Sequence, residues 1–184
     1  MSTVATEEEN WTYQDYVQFP DNGKRYQIIQ GKVYMSPAPV PYHQRIIRKL
    51  GKIIDEFVTR GNLGEVFYAP CDVVLSDENV VQPDIFFISK EKMSIITDKC
   101  IEGVPDLIIE ITSPYTQNLD KLLKKRLYET YRVQEYWIVD ADKKTLQIFS
   151  HTGKFYEDTG IYKIGDVVKS KLIKGLNFNL KEIF

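Results

Sequence analysis

The sequence is poor in the residues that build metal clusters and covalent staples. Its 184 residues include two cysteines, Cys71 and Cys100, and two histidines, His43 and His151. The cysteines stand 29 positions apart in unlike contexts, so two reduced thiols are expected rather than a disulfide framework. Two cysteines and two histidines without ligand spacing exclude a structural zinc site. No apolar run approaches the roughly 20 residues of a membrane-spanning helix. The first ten residues, Met1 to Asn10, carry neither a basic flank nor an apolar segment, which excludes a signal peptide and implies a cytoplasmic chain. An excess of one charge is missing too, since 24 Lys and Arg against 26 Asp and Glu leave a net charge of −2. Bulk charge therefore does not advertise nucleic-acid binding, and any phosphate-binding role must come from a local patch.

What is present is an ordinary globular composition, 43% hydrophobic and 27% charged, at a length suited to one domain. Residues 1–10 are polar and acidic and read as a disordered tail, leaving residues 11–184 as the domain. A short helix is expected over Tyr13–Phe19, closed by the turn-rich Pro20-Asp-Asn-Gly23. Arg25–Gln30 and Lys32–Met35, joined at Gly31, read as a hairpin. Three prolines in the six residues Ser36–Pro41 then break the pattern. From Tyr42 to Arg60 the period changes, with Ile47, Leu50, Ile54 and Phe57 on one stripe of an amphipathic helix that Gly61 ends.

Further strands are expected at 65–68, 72–75, 80–88 and 105–112, the last stopped by Ser113-Pro114. A second amphipathic helix spans 118–131, capped by Thr116 or Asn118, with Leu119, Leu122, Leu123, Leu127 and Tyr131 on its apolar stripe. Glu135–Asp140 and Thr145–Phe149 read as a hairpin around Asp142–Lys144, and weaker strands lie near 154–156 and 176–180. Strands before, between and after two long helices imply an α/β or α+β domain, one mixed sheet with helices packed against it. The strand at 105–112, the helix and the strand at 135–140 form a β-α-β unit, whose strands should run parallel.

Chemistry concentrates around that unit. Alternation puts Leu107, Ile109 and Ile111 on one face of the strand and Asp106, Ile108, Glu110 and Thr112 on the other. A central strand seldom buries a carboxylate without a cation or donor, so Glu110 needs a partner. Asp84, inside Val80–Ile88, poses the same problem. Each reads alone as a paired structural carboxylate or a residue ending a strand. Together, on neighbouring strands, they could converge at one end of the sheet. Two like charges about 4 Å apart repel by about 4 kcal/mol at an effective dielectric of about 20, a repulsion that a divalent cation removes. Hard oxygens without a nitrogen or sulfur cluster suit Mg²⁺. Asp106 reads instead as a residue that fixes the strand start.

The third element is the stripe Asp120, Lys124 and Tyr128, spaced i, i+4, i+8 on the second helix. This helix leaves directly from the Glu110 strand, so Lys124 can swing back toward the carboxylates. Lys121, Lys124, Lys125 and Arg126 put four positive charges into six positions, read either as a solvated helix face or as a phosphate-binding patch.

These residues resemble the PD-(D/E)XK nuclease arrangement, in which an Asp and an acidic-X-Lys strand bind a catalytic metal. More closely, the chain resembles the Uma family of restriction-endonuclease-like proteins over roughly residues 12 to 184. The matching phrases are Tyr26–Gly31, His43, Gln82–Ile85, Val104–Pro114, the Asp120/Lys124/Tyr128 stripe and Val133–Asp140. The resemblance implies a restriction-endonuclease-like fold and a Mg²⁺-dependent endonuclease, with Mn²⁺ able to substitute. DNA would be the substrate and a homodimer the working form. Asp84 and Glu110 would hold the metal, Lys124 would complete the catalytic set, and Lys121, Lys125 and Arg126 would contact phosphate. Gln27, His43, Thr112 and Tyr128 would be accessory. Three departures from the family pattern stand out. Thr112 occupies the usual lysine position, with Lys124 as its replacement, and Gln27 occupies a usual glutamate position. Arg132 replaces a usual glycine. A catalytically decayed binding module and a structural homodimer joined through exposed aromatics are the rival readings.

Overall fold

The structure, a computed structural model, describes residues 10–20, 22–36, 38–112 and 119–184. Residues 1–9 of the N-terminal tail expected over 1–10, the stop at Ser113-Pro114 and the helix cap at Thr116 or Asn118 lie outside the described residues. After a single helical turn α1 (Tyr13–Tyr16), the hairpin forms as its pattern requires, β1 (Arg25–Ile29) against β2 (Lys32–Ser36). The long helix α2 (Pro41–Gly61) starts on a proline, whose fixed φ suits a first helical position. Ile46, Ile47, Leu50, Ile54 and Val58 form its buried face. The helix is stopped by Asn62, left-handed at φ 50°, rather than by Gly61, which stays helical. Asparagine tolerates that conformation through local hydrogen bonding of its short side chain.

The run expected as one strand over 80–88 is two strands. After β3 (Gly64–Tyr68) and β4 (Val73–Ser76), β5 (Asn79–Val81) is separated from β6 (Ile85–Ser89) by Gln82-Pro83-Asp84. Pro83 lacks the N–H a ladder needs and holds its neighbours out of pairing geometry. Consequently β5 and β6 join different sheets, and the single mixed sheet expected from the sequence is divided. Once β7 (Ile101–Glu102), β8 (Leu107–Thr112), β9 (Glu135–Asp140), β10 (Thr145–His151) and β11 (Tyr156–Tyr162) are placed, a six-stranded sheet runs β11-β10-β9-β8-β6-β3. A five-stranded sheet runs β2-β1-β5-β4-β7. As the β-α-β unit implied, β8 and β9 are parallel, and β9–β10 is the expected antiparallel hairpin. A final ribbon pairs β12 (Val167–Lys169) with β13 (Asn177–Asn179). The strand expected near 154–156 begins only at Tyr156 and runs to Tyr162, with an irregularity in its pairing where Thr159 and Gly160 stand opposite Ile148.

The second helix also differs from expectation. Leu119–Lys124 is a π-helical turn, followed by α3 (Lys125–Thr130). The wider turn shifts the phase of the apolar stripe, so Leu122 is 63% exposed while Leu127 and Tyr128 are buried. The central strands β6, β8 and β9 of the six-stranded sheet are buried on both faces. Ile85, Phe87, Leu107, Ile109 and Ile111 pack under α2. Phe86, Ile88, Ile108 and Ile138 pack toward α3 and toward Ile29, Val73 and Val81 of the smaller sheet. Among the described residues, no helix is long and apolar enough to cross a membrane.

Candidate active site

The break at Pro83 creates the position of Asp84. It lies between the end of β5 in the smaller sheet and the start of β6 in the larger one, so it stands where the two sheets meet. The register pairs Ile85 with Ile109 and Phe86 with Ile108. Continued by one step, it sets Asp84 opposite Glu110. Asp84 Oδ2 accepts the backbone N–H of Ile111 at 2.9 Å. His43, from the N-terminal part of α2, reaches the same oxygen at 3.1 Å, and Arg25 of β1 approaches Oδ1 at 3.4 Å. Burial works against a charged His43 imidazole, yet the hydrogen bond and charge of Asp84 outweigh it and raise its pKa. Gln27, two positions beyond Arg25 and on the same strand face, is 3% exposed. Its Oε1 accepts from Gln82 N at 3.3 Å, which braces the segment leading into Asp84.

Glu110 lies on the α3 side of β8 with 3% exposure. Its Oε1 accepts from Lys124 Nζ at 2.9 Å and from Tyr128 Oη at 2.8 Å. Lys124 Nζ also lies 3.3 Å from Asp120 Oδ1. Asp120, Lys124 and Tyr128, each four positions apart, share the face of this helical segment that is turned toward Glu110. Tyr136 Oη donates to the Asp120 carbonyl at 3.0 Å and pins that turn to β9.

Burial, together with the charges of Asp120 and Asp84, pushes the Glu110 carboxyl up from 4.5 to about 8, against the opposing pull of Lys124. Burial alone would lower Lys124, but Glu110 and Asp120 outweigh it and hold the ammonium above the ordinary lysine range. Burial, then the Glu110 charge, raises Tyr128 well above 10, so its hydroxyl remains a donor. The repulsion anticipated between two bare carboxylates is thus met from within the chain: Arg25 and His43 face Asp84, and Lys124 faces Glu110.

The remaining sequence candidates occupy other places. Thr112 Oγ1 donates to the Val139 carbonyl at 3.4 Å, across to β9. Lys121 pairs with Asp140 at 3.2 Å, and Lys125 sits 4.2 Å over the Phe149 ring. Arg126 is exposed. Asp106, fully buried, accepts from Ser89 N, Lys92 and Gln134 and fastens the start of β8, as the sequence suggested. Arg25 was missed. It comes from a strand of the other sheet, and its signal in the sequence is only its alternation with Gln27.

Among the described residues, no three His, Cys, Asp or Glu side chains are grouped so as to hold an ion. The available donors are the two carboxylates and the Ile111 carbonyl. That carbonyl and Asp84 Oδ2 both lie within 3.1 Å of one nitrogen, His43 Nε2. A small set of hard oxygens fits Mg²⁺, which keeps several of its waters.

A mixed central sheet flanked by helices, with acidic residues on adjoining strands, is the architecture of the restriction-endonuclease-like, PD-(D/E)XK-like nuclease folds. The chain belongs to the Uma2 family, described as "Putative restriction endonuclease", whose model matches residues 13–181. Among solved structures it is similar to "a putative nuclease belonging to DUF820" from Anabaena variabilis, with a TM-score of 0.78. That match covers 94% of this chain and 97% of the other at 18% sequence identity. No curated protein matches the chain.

Proposed function

We propose that the protein is a Mg²⁺-dependent endonuclease that hydrolyses phosphodiester bonds in cytoplasmic DNA, with Mn²⁺ able to substitute. The observation that carries the reading is the buried Lys124 ammonium held 2.9 Å from Glu110, with Asp84 opposite Glu110 in the continued β6–β8 register. Asp84, Glu110 and the Ile111 carbonyl would hold the metal. When bound, Mg²⁺ supplies a Lewis acid for the phosphate and lowers the pKa of a coordinated water.

Lys124 remains a cation at neutral pH, so it serves as a source of positive charge and not as a proton acceptor. Preorganised charge of this kind favours the negative charge that develops on phosphate oxygens during attack. Glu110 and Asp120 fix the direction of the ammonium, and Tyr128 fixes Glu110. Arg126 gives the DNA backbone a further contact, and Lys121 and Lys125 can join it by leaving Asp140 and Phe149. A homodimer would bring one such site to each strand of a duplex.

A specific observation favours a second reading, a catalytically decayed module that binds nucleic acid or protein. Both carboxylates already have cationic partners within the chain, and Gln27 stands where the family resemblance expects a glutamate.

Thermal melting with and without Mg²⁺ or Mn²⁺ separates the two. An active site predicts a metal-linked rise in Tm that Asp84→Asn and Glu110→Gln remove. It also predicts nicking of plasmid DNA that is lost in Lys124→Gln, a variant that keeps a donor toward Glu110. Absence of a shift at saturating metal, with DNA binding retained, would favour the binding module.

A further inference from the structure

His43 stands at an unusual point. Its Nε2 lies 2.9 Å from the Ile111 carbonyl oxygen and 3.1 Å from Asp84 Oδ2. A carbonyl oxygen only accepts, so Nε2 carries the proton and shares it between the two oxygens. The other ring nitrogen, Nδ1, is buried and has no partner among the described residues. Two hard oxygens of different chemical origin are therefore aimed at one spot, and an N–H fills it.

We propose that His43 is a place-holder for the divalent cation. Its Nε2–H takes the place that Mg²⁺ or Mn²⁺ would occupy between Asp84 and the Ile111 carbonyl. The imidazole must turn aside before the cation can enter. His43 thereby weakens metal binding by competition and keeps the two oxygens satisfied while no metal is bound. The inference rests on the reading of Asp84 and Glu110 as a metal site.

The alternative role, a nitrogen ligand to the same ion, requires Nε2 to lose its proton and Nδ1–H to find an acceptor. Ligating histidines almost always have such an acceptor behind them. Nδ1 of His43 has none among the described residues. The oxygens left behind on rotation are the ligand type that Mg²⁺ selects, so exchanging the N–H for the ion leaves no acceptor unpaired.

The test is calorimetric titration of Mn²⁺ into the full chain after chelator treatment, with Mn²⁺-linked melting as a second readout. His43→Ala should bind Mn²⁺ about tenfold more tightly than the unmodified chain, the worth of one hydrogen bond to a charged group. It should also show the larger Mn²⁺-linked rise in Tm. His43→Gln, which restores an N–H near the Nε2 position, should return the affinity toward that of the unmodified chain. His43→Ser serves as a second truncation if the alanine variant melts too low to titrate. Equal or weaker binding by the truncated variants overturns the place-holder. If that binding still depends on Asp84, tested with Asp84→Asn, the metal site itself survives. If neither the unmodified chain nor the truncated variants bind Mn²⁺, the metal reading and the place-holder fall together.

Discussion

Glu110→Gln in metal-free protein tests the electrostatics of the site most directly. Burial and two neighbouring carboxylates place the Glu110 pKa at about 8 in the fold, against 4.5 for the free group. A raised folded pKa means that the native state holds the proton more tightly than the unfolded chain. Its stabilising contribution is complete below pH 4.5 and is lost as the pH rises through about 8. Within that window the two states differ by nearly one proton, which amounts to about 1.4 kcal/mol for each pH unit. Glutamine keeps an acceptor for Lys124 and Tyr128 but does not titrate. The stability of Glu110→Gln relative to the unmodified chain should therefore increase by roughly 3 kcal/mol between about pH 5.5 and 7.5. Urea unfolding with chelator present, at three pH values across that range, measures it. A difference that stays flat with pH would mean that Lys124 keeps Glu110 ionised throughout. Burial would then not be the dominant influence, and the reasoning would be refuted.

Other consequences follow from the same geometry. Glu135, 1% exposed, accepts from Trp137 Nε1, Ser170 Oγ and the backbone N–H groups of Lys171 and Leu172. Glu135→Ala strands these donors and should cost about 3 kcal/mol or more in urea unfolding, with faster amide exchange at Lys171 and Leu172. Arg132 holds a left-handed φ of 58° after α3. Arg132→Gly relieves about 1–2 kcal/mol of backbone strain and returns about half of it as chain entropy, so Tm should rise by about 2 °C. In a salt titration of DNA binding, Arg126→Ala should flatten the slope of log K against log salt by about one, and an unchanged slope would remove Arg126 from the phosphate contacts.

The β8–helix–β9 unit was legible because alternation on two strands and an intervening helical stripe are local signals. The carboxylates were legible for the same reason, as polar residues inside apolar runs. What surrounds them was not. The effect of Pro83 on the 80–88 run is to send its two halves into different sheets, and sheet membership is a long-range property. Arg25 reaches Asp84 only because of that division. The π-helical turn was invisible because the leucines around it keep a spacing of three and four, which an α-helix explains equally well. Hydrogen bonds to main-chain groups, such as that from Ile111 to Asp84, leave no trace in side-chain chemistry.

The seam between β6 and β8 is short, with three paired residues on each side. The Asp84 carboxylate, by taking the Ile111 amide, adds a fourth rung to that seam with a side chain in place of a peptide carbonyl. Truncating it would begin to unzip the middle of the domain as well as blunt its chemistry. Inactivity in an alanine variant would therefore be ambiguous, and the isosteric amide, which preserves the rung while discarding the charge, is the informative replacement.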